Sequence, residues 1–124
     1  MNHLSPKTNI ETVKRLYELF NERQWQEMAS LYSEKTHFLN PRQEGVITRD
    51  NEDIPLIYAA LERKYPGVKE KILYIEECGD LVYVQFLTSG KSKSGDQWQQ
   101  IVWTIFTVLN RKIAKVATYF NYPD

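Results

Sequence analysis

The chain has 124 residues, 42% of them hydrophobic, which suits one compact core rather than two domains or a disordered tail. Sixteen Lys and Arg balance sixteen Asp and Glu, so there is no basic surplus for a phosphate backbone, and nucleic acid is not an expected partner. A single cysteine, Cys78, cannot form an internal disulfide, and His3 and His37 lie too far apart to begin a metal-ligand cluster.

The opening MNHLSPKTN lacks the apolar segment of a signal peptide, and no apolar run nears the length of a membrane helix. A cytoplasmic protein is expected, with no membrane partner and no cofactor. Residues 1–8 read as a short arm on a single domain spanning 1–124. Thr8 begins T-N-I-E, a capping box, and Ile10, Val13, Leu16, Tyr17 and Phe20 recur at helical spacing to an end near Asn21. A second short helix carries Trp25, Met28, Ala29, Leu31 and Tyr32 on one side, forming a helical hairpin with the first.

Thr36 to Asn40 alternates as a strand and Pro41 stops it. A polar turn and a brief Val46-Ile47 lead to a third helix opened by Asp50, Asn51 or Asp53, with Pro55 in its first turn and Tyr65-Pro66-Gly67 at its end. The period then becomes two. Val68 to Cys78, Leu81 to Lys91, Trp98 to Leu109 and Ile113 to Tyr122 are strand-like, and their short turns require antiparallel neighbours. Helices followed by a meander give an α+β arrangement, three helices packed on a curved, mainly antiparallel sheet. The stretches 81–87 and 101–109 are apolar on both faces, Tyr83 and Gln85 aside. Either the outer face is covered by a second copy, making a homodimer sheet against sheet, or these strands are simply central.

The segments VKRLYELFNERQWQEMASLYSEKTHFLNPRQEG, ALERKYPG, CGDLVYVQFLTSGKSKSG and LNRKIAKVATYFN together resemble the SnoaL-like branch of the nuclear transport factor 2-like superfamily, from about Ile10 to Asn121. The resemblance implies a cone in which a curved sheet wraps a long helix and leaves a hydrophobic pocket at the open end. It also brings a range of activities, from polyketide cyclases and ketosteroid isomerase to plain binding modules, so fold alone does not choose among them. Carried over residue by residue, the isomerase's oxyanion tyrosine falls on Leu16, its general base on Asn40 and its protonated aspartate near Ile105. The aspartate of the resembling cyclases falls on Asn121. Amides at two acid positions cannot exchange protons as carboxylates do, which points toward binding or toward a lyase or isomerase working without the usual carboxylates.

His37 is the one histidine inside the folded region, and strand alternation places it on the outer face unless a bulge reverses it. Asp53, Glu76 and Asp80 are explained by loop or helix-cap duties. GKSKSGD has Asp96 where a phosphate loop needs lysine, and reads as a hairpin turn. The expected pocket takes walls from Trp25, Tyr32, Phe38 and Tyr58, with Trp103, Ile105 and Tyr119 from the long strands. Asn40, Asn121, Thr107 and Gln85 are its expected polar points, suited to a small apolar or aromatic ligand. The two readings are therefore a small-molecule pocket protein of polyketide cyclase-like type and a noncatalytic dimerisation module with a vestigial pocket.

Overall fold

Three helices, α1 (Asn9–Asn21), α2 (Trp25–Ala29) and α3 (Ile54–Lys64), occupy the first half of the computed structural model, which describes residues 6–39 and 45–120. Strands β1 (Tyr32–Leu39) and β2 (Val46–Asp50) lie between α2 and α3, and β3 (Lys69–Cys78), β4 (Leu81–Lys91), β5 (Gln97–Leu109) and β6 (Lys112–Phe120) follow. They form one six-stranded sheet in the order β2-β1-β6-β5-β4-β3. All neighbours are antiparallel except β1 and β6, which pair in parallel.

Local chemistry explains the boundaries. The Thr8 hydroxyl accepts from the Glu11 amide at 3.1 Å and caps α1, while the Glu77 carboxylate of β3 accepts from the Ile10 amide at 2.7 Å. Two anionic or polar acceptors thus meet the positive end of the helix. The second helix is shorter than its apolar residues imply: it stops at Ala29, and Tyr32 already belongs to β1, which starts four residues ahead of the expected Thr36. The reason is tertiary, because the Leu31 carbonyl accepts from the Ile113 amide and commits the chain to the sheet. Buried Thr36 then bonds the Ile113 carbonyl at 3.2 Å, filling the break in the β1–β6 ladder.

At α3 none of the three expected caps makes a side-chain cap bond; Asn51 instead donates to the carbonyls of Ala29 and Tyr32, tying α3 to the end of α2. Asn110 and Arg111 both adopt positive φ, 52° and 62°, the two-residue turn that matches strand twist. The Arg111 guanidinium bonds Asn9 Oδ1 and the Lys7 carbonyl, anchoring that turn to the start of α1.

The core sits between α1 and the concave face of the sheet. Val13, Leu16 and Phe20 of α1 meet Val84, Phe86, Val102 and Phe106, all at most 6% exposed. On β4 and β5 the even-numbered positions from 82 to 88 and from 102 to 108 are buried, so the odd ones face outward. β3 is an edge strand, and a bulge between Ile72 and Tyr74 changes its phase.

Candidate functional site

The concave face encloses a chamber of about 110 Å³. Six aromatic rings wall it, those of Tyr17, Phe20, Tyr32, Tyr58, Phe86 and Phe106, together with Leu16, Met28 and Val116. Among the described residues its polar groups come from Thr104, Thr118, the three tyrosines and Glu70. Beyond Glu70 and Phe86 lies a groove of about 520 Å³, walled by Leu61, Tyr65, Val68, Trp98 and Val102, with Thr88 and Gln100 as polar points. Glu70 and Phe86 line both spaces and form the partition between them.

Strand geometry puts the Glu70 side chain there. Glu70 is paired with Thr88 and Ile72 with Phe86, and Thr88 and Phe86 are buried inward-facing residues of β4, so the first half of β3 points Glu70 into the cone. Its main chain is fixed from α1: Asn21 Oδ1 accepts from the Glu70 amide at 2.9 Å and Asn21 Nδ2 donates to the Glu70 carbonyl at 2.7 Å. One amide side chain thereby satisfies both main-chain groups that an edge strand would leave open.

Burial pushes the Glu70 carboxyl up to about 8, against the opposing pull of the Arg23 guanidinium. Among the described residues no side chain hydrogen-bonds that carboxyl, and Arg23 itself is engaged by Glu62 and by the carbonyls of Val68 and Phe20. Arg23 holds this position from a left-handed backbone, φ 62°, at the end of α1. The Tyr32 and Tyr58 hydroxyls lie 2.8 Å apart. Burial raises all three chamber tyrosines, Tyr58 to about 12 and Tyr17 and Tyr32 well above the ordinary phenol, so at neutral pH they are hydrogen-bonding phenols and not bases.

Of the residues expected from sequence, Leu16, Tyr32 and Tyr58 line the chamber, and Trp25 and Phe38 pack beside it, Trp25 stacked on Tyr58 and Phe38 6.0 Å from Tyr32. Gln85, Trp103, Ile105, Thr107 and Tyr119 are corrected: they lie on the outer face, since Trp103 is paired with both Gln85 and Tyr119 and stands out of phase with buried Val102 and Thr104. With apolar residues on both faces the alternation carries no sign, and a one-residue shift exchanges the faces. Thr104 and Phe106 occupy the inward positions instead. His37 is exposed, its Nδ1 2.9 Å from the Thr48 hydroxyl, outside the cone. Asn40 and Asn121 lie outside the described residues.

Sequence reasoning missed Glu70. Its signal is the alternation Val68, Glu70, Ile72, which puts a carboxylate between two apolar residues of one strand face, where a solvated position would show polar neighbours. Tyr17, which its spacing puts on the packed face of α1, also lines the chamber, one residue along from Leu16. Among the described residues no group of three or more His, Cys, Asp or Glu side chains is placed to hold a metal, and none of their helices is long and apolar enough to cross a membrane.

A family model for the SnoaL-like domain matches residues 13–116, most of the chain. The chain belongs to the SnoaL-like domain family. Solved structures share its fold at low identity. A candidate SnoaL-like polyketide cyclase from Jannaschia sp. CCS1 is 17% identical with a TM-score of 0.80, over 98% of this chain and 90% of that one. An NTF2-like protein from Anabaena variabilis is 19% identical with a TM-score of 0.78, over 99% and 96%. A protein of ketosteroid isomerase-like fold from Catenulispora acidiphila, in complex with trimethylamine, is 14% identical with a TM-score of 0.79, over 95% and 88%. No curated protein matches the sequence. Such likeness carries the SnoaL-like fold, while the chemistry has to come from the residues in the cone.

Proposed function

We propose that this SnoaL-like domain is a small-molecule pocket protein. A mostly apolar or aromatic ligand lies in the groove with its head in the chamber, and Glu70 exchanges a proton with it. The observation that carries this reading is the Glu70 carboxyl on the wall shared by both spaces. A group titrating near 8 is mostly the acid at neutral pH, with about a tenth ionised at pH 7: protonated, it donates to a carbonyl, and ionised, it removes an acidic C–H proton. The chamber tyrosines supply further donors to developing negative charge. That set suits an isomerase, dehydratase or cyclase acting without a cofactor, the class to which the cyclase-like relatives point. The groove is of ordinary ligand-pocket size, and the buried Trp98 Nε1–H, unpartnered among the described residues, is a further donor at its wall.

Native mass spectrometry of the purified protein, followed by release and identification of anything bound, tests the reading. An apolar ligand near one per chain, lost or weakened in Glu70→Gln, is the expected result. A protein that neither retains nor binds any apolar probe contradicts it. The ketosteroid isomerase-like relative was solved with trimethylamine, so small amines belong among the probes beside neutral aromatics.

A homodimer through the outer sheet face is the second reading, favoured by Trp103 and Tyr119, directly paired across β5 and β6 and 43% and 42% exposed. Sedimentation of Trp103→Asp against the parent chain checks it: dimer to monomer is expected, and a parent that is already monomeric at micromolar concentration refutes it. If the parent chain is a dimer and binds no apolar probe, the noncatalytic dimerisation module takes precedence.

A further inference from the structure

We propose that the chamber behind Glu70 takes a small organic cation, an ammonium head group of about four or five heavy atoms, with the Glu70 carboxylate as its counter-ion. The inference deepens the pocket reading and rests on it.

Size, wall chemistry and the open carboxyl each point this way. A dry cavity of about 150 Å³ holds a benzene ring, so on the same scale the chamber of about 110 Å³ takes about four heavy atoms. Trimethylammonium has that number and tetramethylammonium one more. Six aromatic rings present the quadrupoles that attract a methylated cation too large and too weakly hydrated for an ordinary ion-pair site. The carboxyl that faces them is unpartnered among the described residues, because Arg23 is already held by Glu62 and by main-chain carbonyls.

The charge balance is simple. At neutral pH the empty site holds Glu70 as the acid; entry of a permanent cation ionises it, forming one carboxylate–ammonium pair and releasing one proton to solvent. Around the chamber Tyr17 from α1, Tyr32 from β1 and Tyr58 from α3 remain phenols in this range; the charged groups near Glu70 are Arg23, which Glu62 engages, and Lys14 and Glu18 of α1 with Lys69 and Lys71 of β3, which line a surface groove with it. Affinity for a permanent cation therefore rises about tenfold per pH unit below the Glu70 midpoint and levels off above it.

The experiment is calorimetric titration of the intact protein with tetramethylammonium chloride at pH 6, 7 and 9, in two buffers of different ionisation enthalpy. Tert-butanol serves as the neutral probe of the same shape and phenol as the neutral aromatic. Expected are saturable cation binding, close to one proton released at pH 6, an affinity about tenfold higher at pH 7 than at pH 6, and at least a tenfold loss in Glu70→Gln. Should that variant not fold, proton release by the parent protein decides alone. Binding of tert-butanol or phenol with no cation binding overturns the proposal and leaves the pocket reading standing. Cation binding without proton release or pH dependence overturns it as well, placing the cation elsewhere on the surface. Failure of all three probes overturns both.

Discussion

Asn21 of α1 holds the main chain of Glu70 at the start of β3. The folded chain keeps the Glu70 proton up to about pH 8, whereas the unfolded chain releases it near 4.5. Between those values the folded state binds more protons, so stability is highest below the lower value and falls as pH rises through the window, by roughly 2–4 kcal/mol. Glu70→Gln removes that dependence: urea melts should coincide with the parent at pH 4.5 and lie above it at pH 8.5. Asn21→Ala leaves the Glu70 amide and carbonyl without partners and should cost about 1–3 kcal/mol in the same melts. Tyr58→Phe strands the Tyr32 hydroxyl in the chamber and should cost about 1–2 kcal/mol. The residue level was also the least legible from sequence. The resemblance points to Asn40 and Asn121, while Glu70 belongs to no motif and is picked out only by its position between Val68 and Ile72.

At the scale of elements, periodicity located the helices and the long strands well. The α1 span, the β4 span and the turns at Gly79-Asp80 and Asn110-Arg111 follow directly from capping, alternation and turn chemistry. What local pattern could not supply was tertiary: the early start of β1, drawn forward by Ile113, the parallel β1–β6 pairing between strands distant in sequence, and the sign of the alternation in β5. Gly90 tests the packing between β4 and β5 at the groove. A Cβ there would stand 3.2 Å from Trp98 Cζ2 and 3.3 Å from Val68 Cα, and the second of these is backbone that cannot swing away. Gly90→Ala should therefore displace the Trp98 indole and cost about 1–3 kcal/mol, seen as a shifted tryptophan emission and a lower melting temperature.

For the whole molecule, the cone explains why one chain can present two unrelated surfaces. The concave side closes on α1 and gathers Glu70 with three tyrosines, and the convex side exposes Ile101, Trp103 and Tyr119. The SnoaL-like fold accounts for the cone and is silent on its contents, since relatives below 20% identity share the frame only. One face of the two-sided apolar strands is core, and the other is the face that the proposed dimer would cover. If both the pocket and the dimer readings hold, Trp103→Asp should yield a monomer whose cone still binds its ligand, because the two faces of β5 share no side chain.

The measurement that bears most directly on the central claim is a carbon-13 NMR titration of the glutamate side-chain carboxyls, with Glu70→Gln to assign the Glu70 signal. The expected result is a Glu70 carboxyl that titrates near pH 8 and moves down toward ordinary values when a cation fills the chamber. A Glu70 midpoint near 4.5 in the empty protein would mean a solvated surface carboxylate, and the proton-exchanging site would be gone.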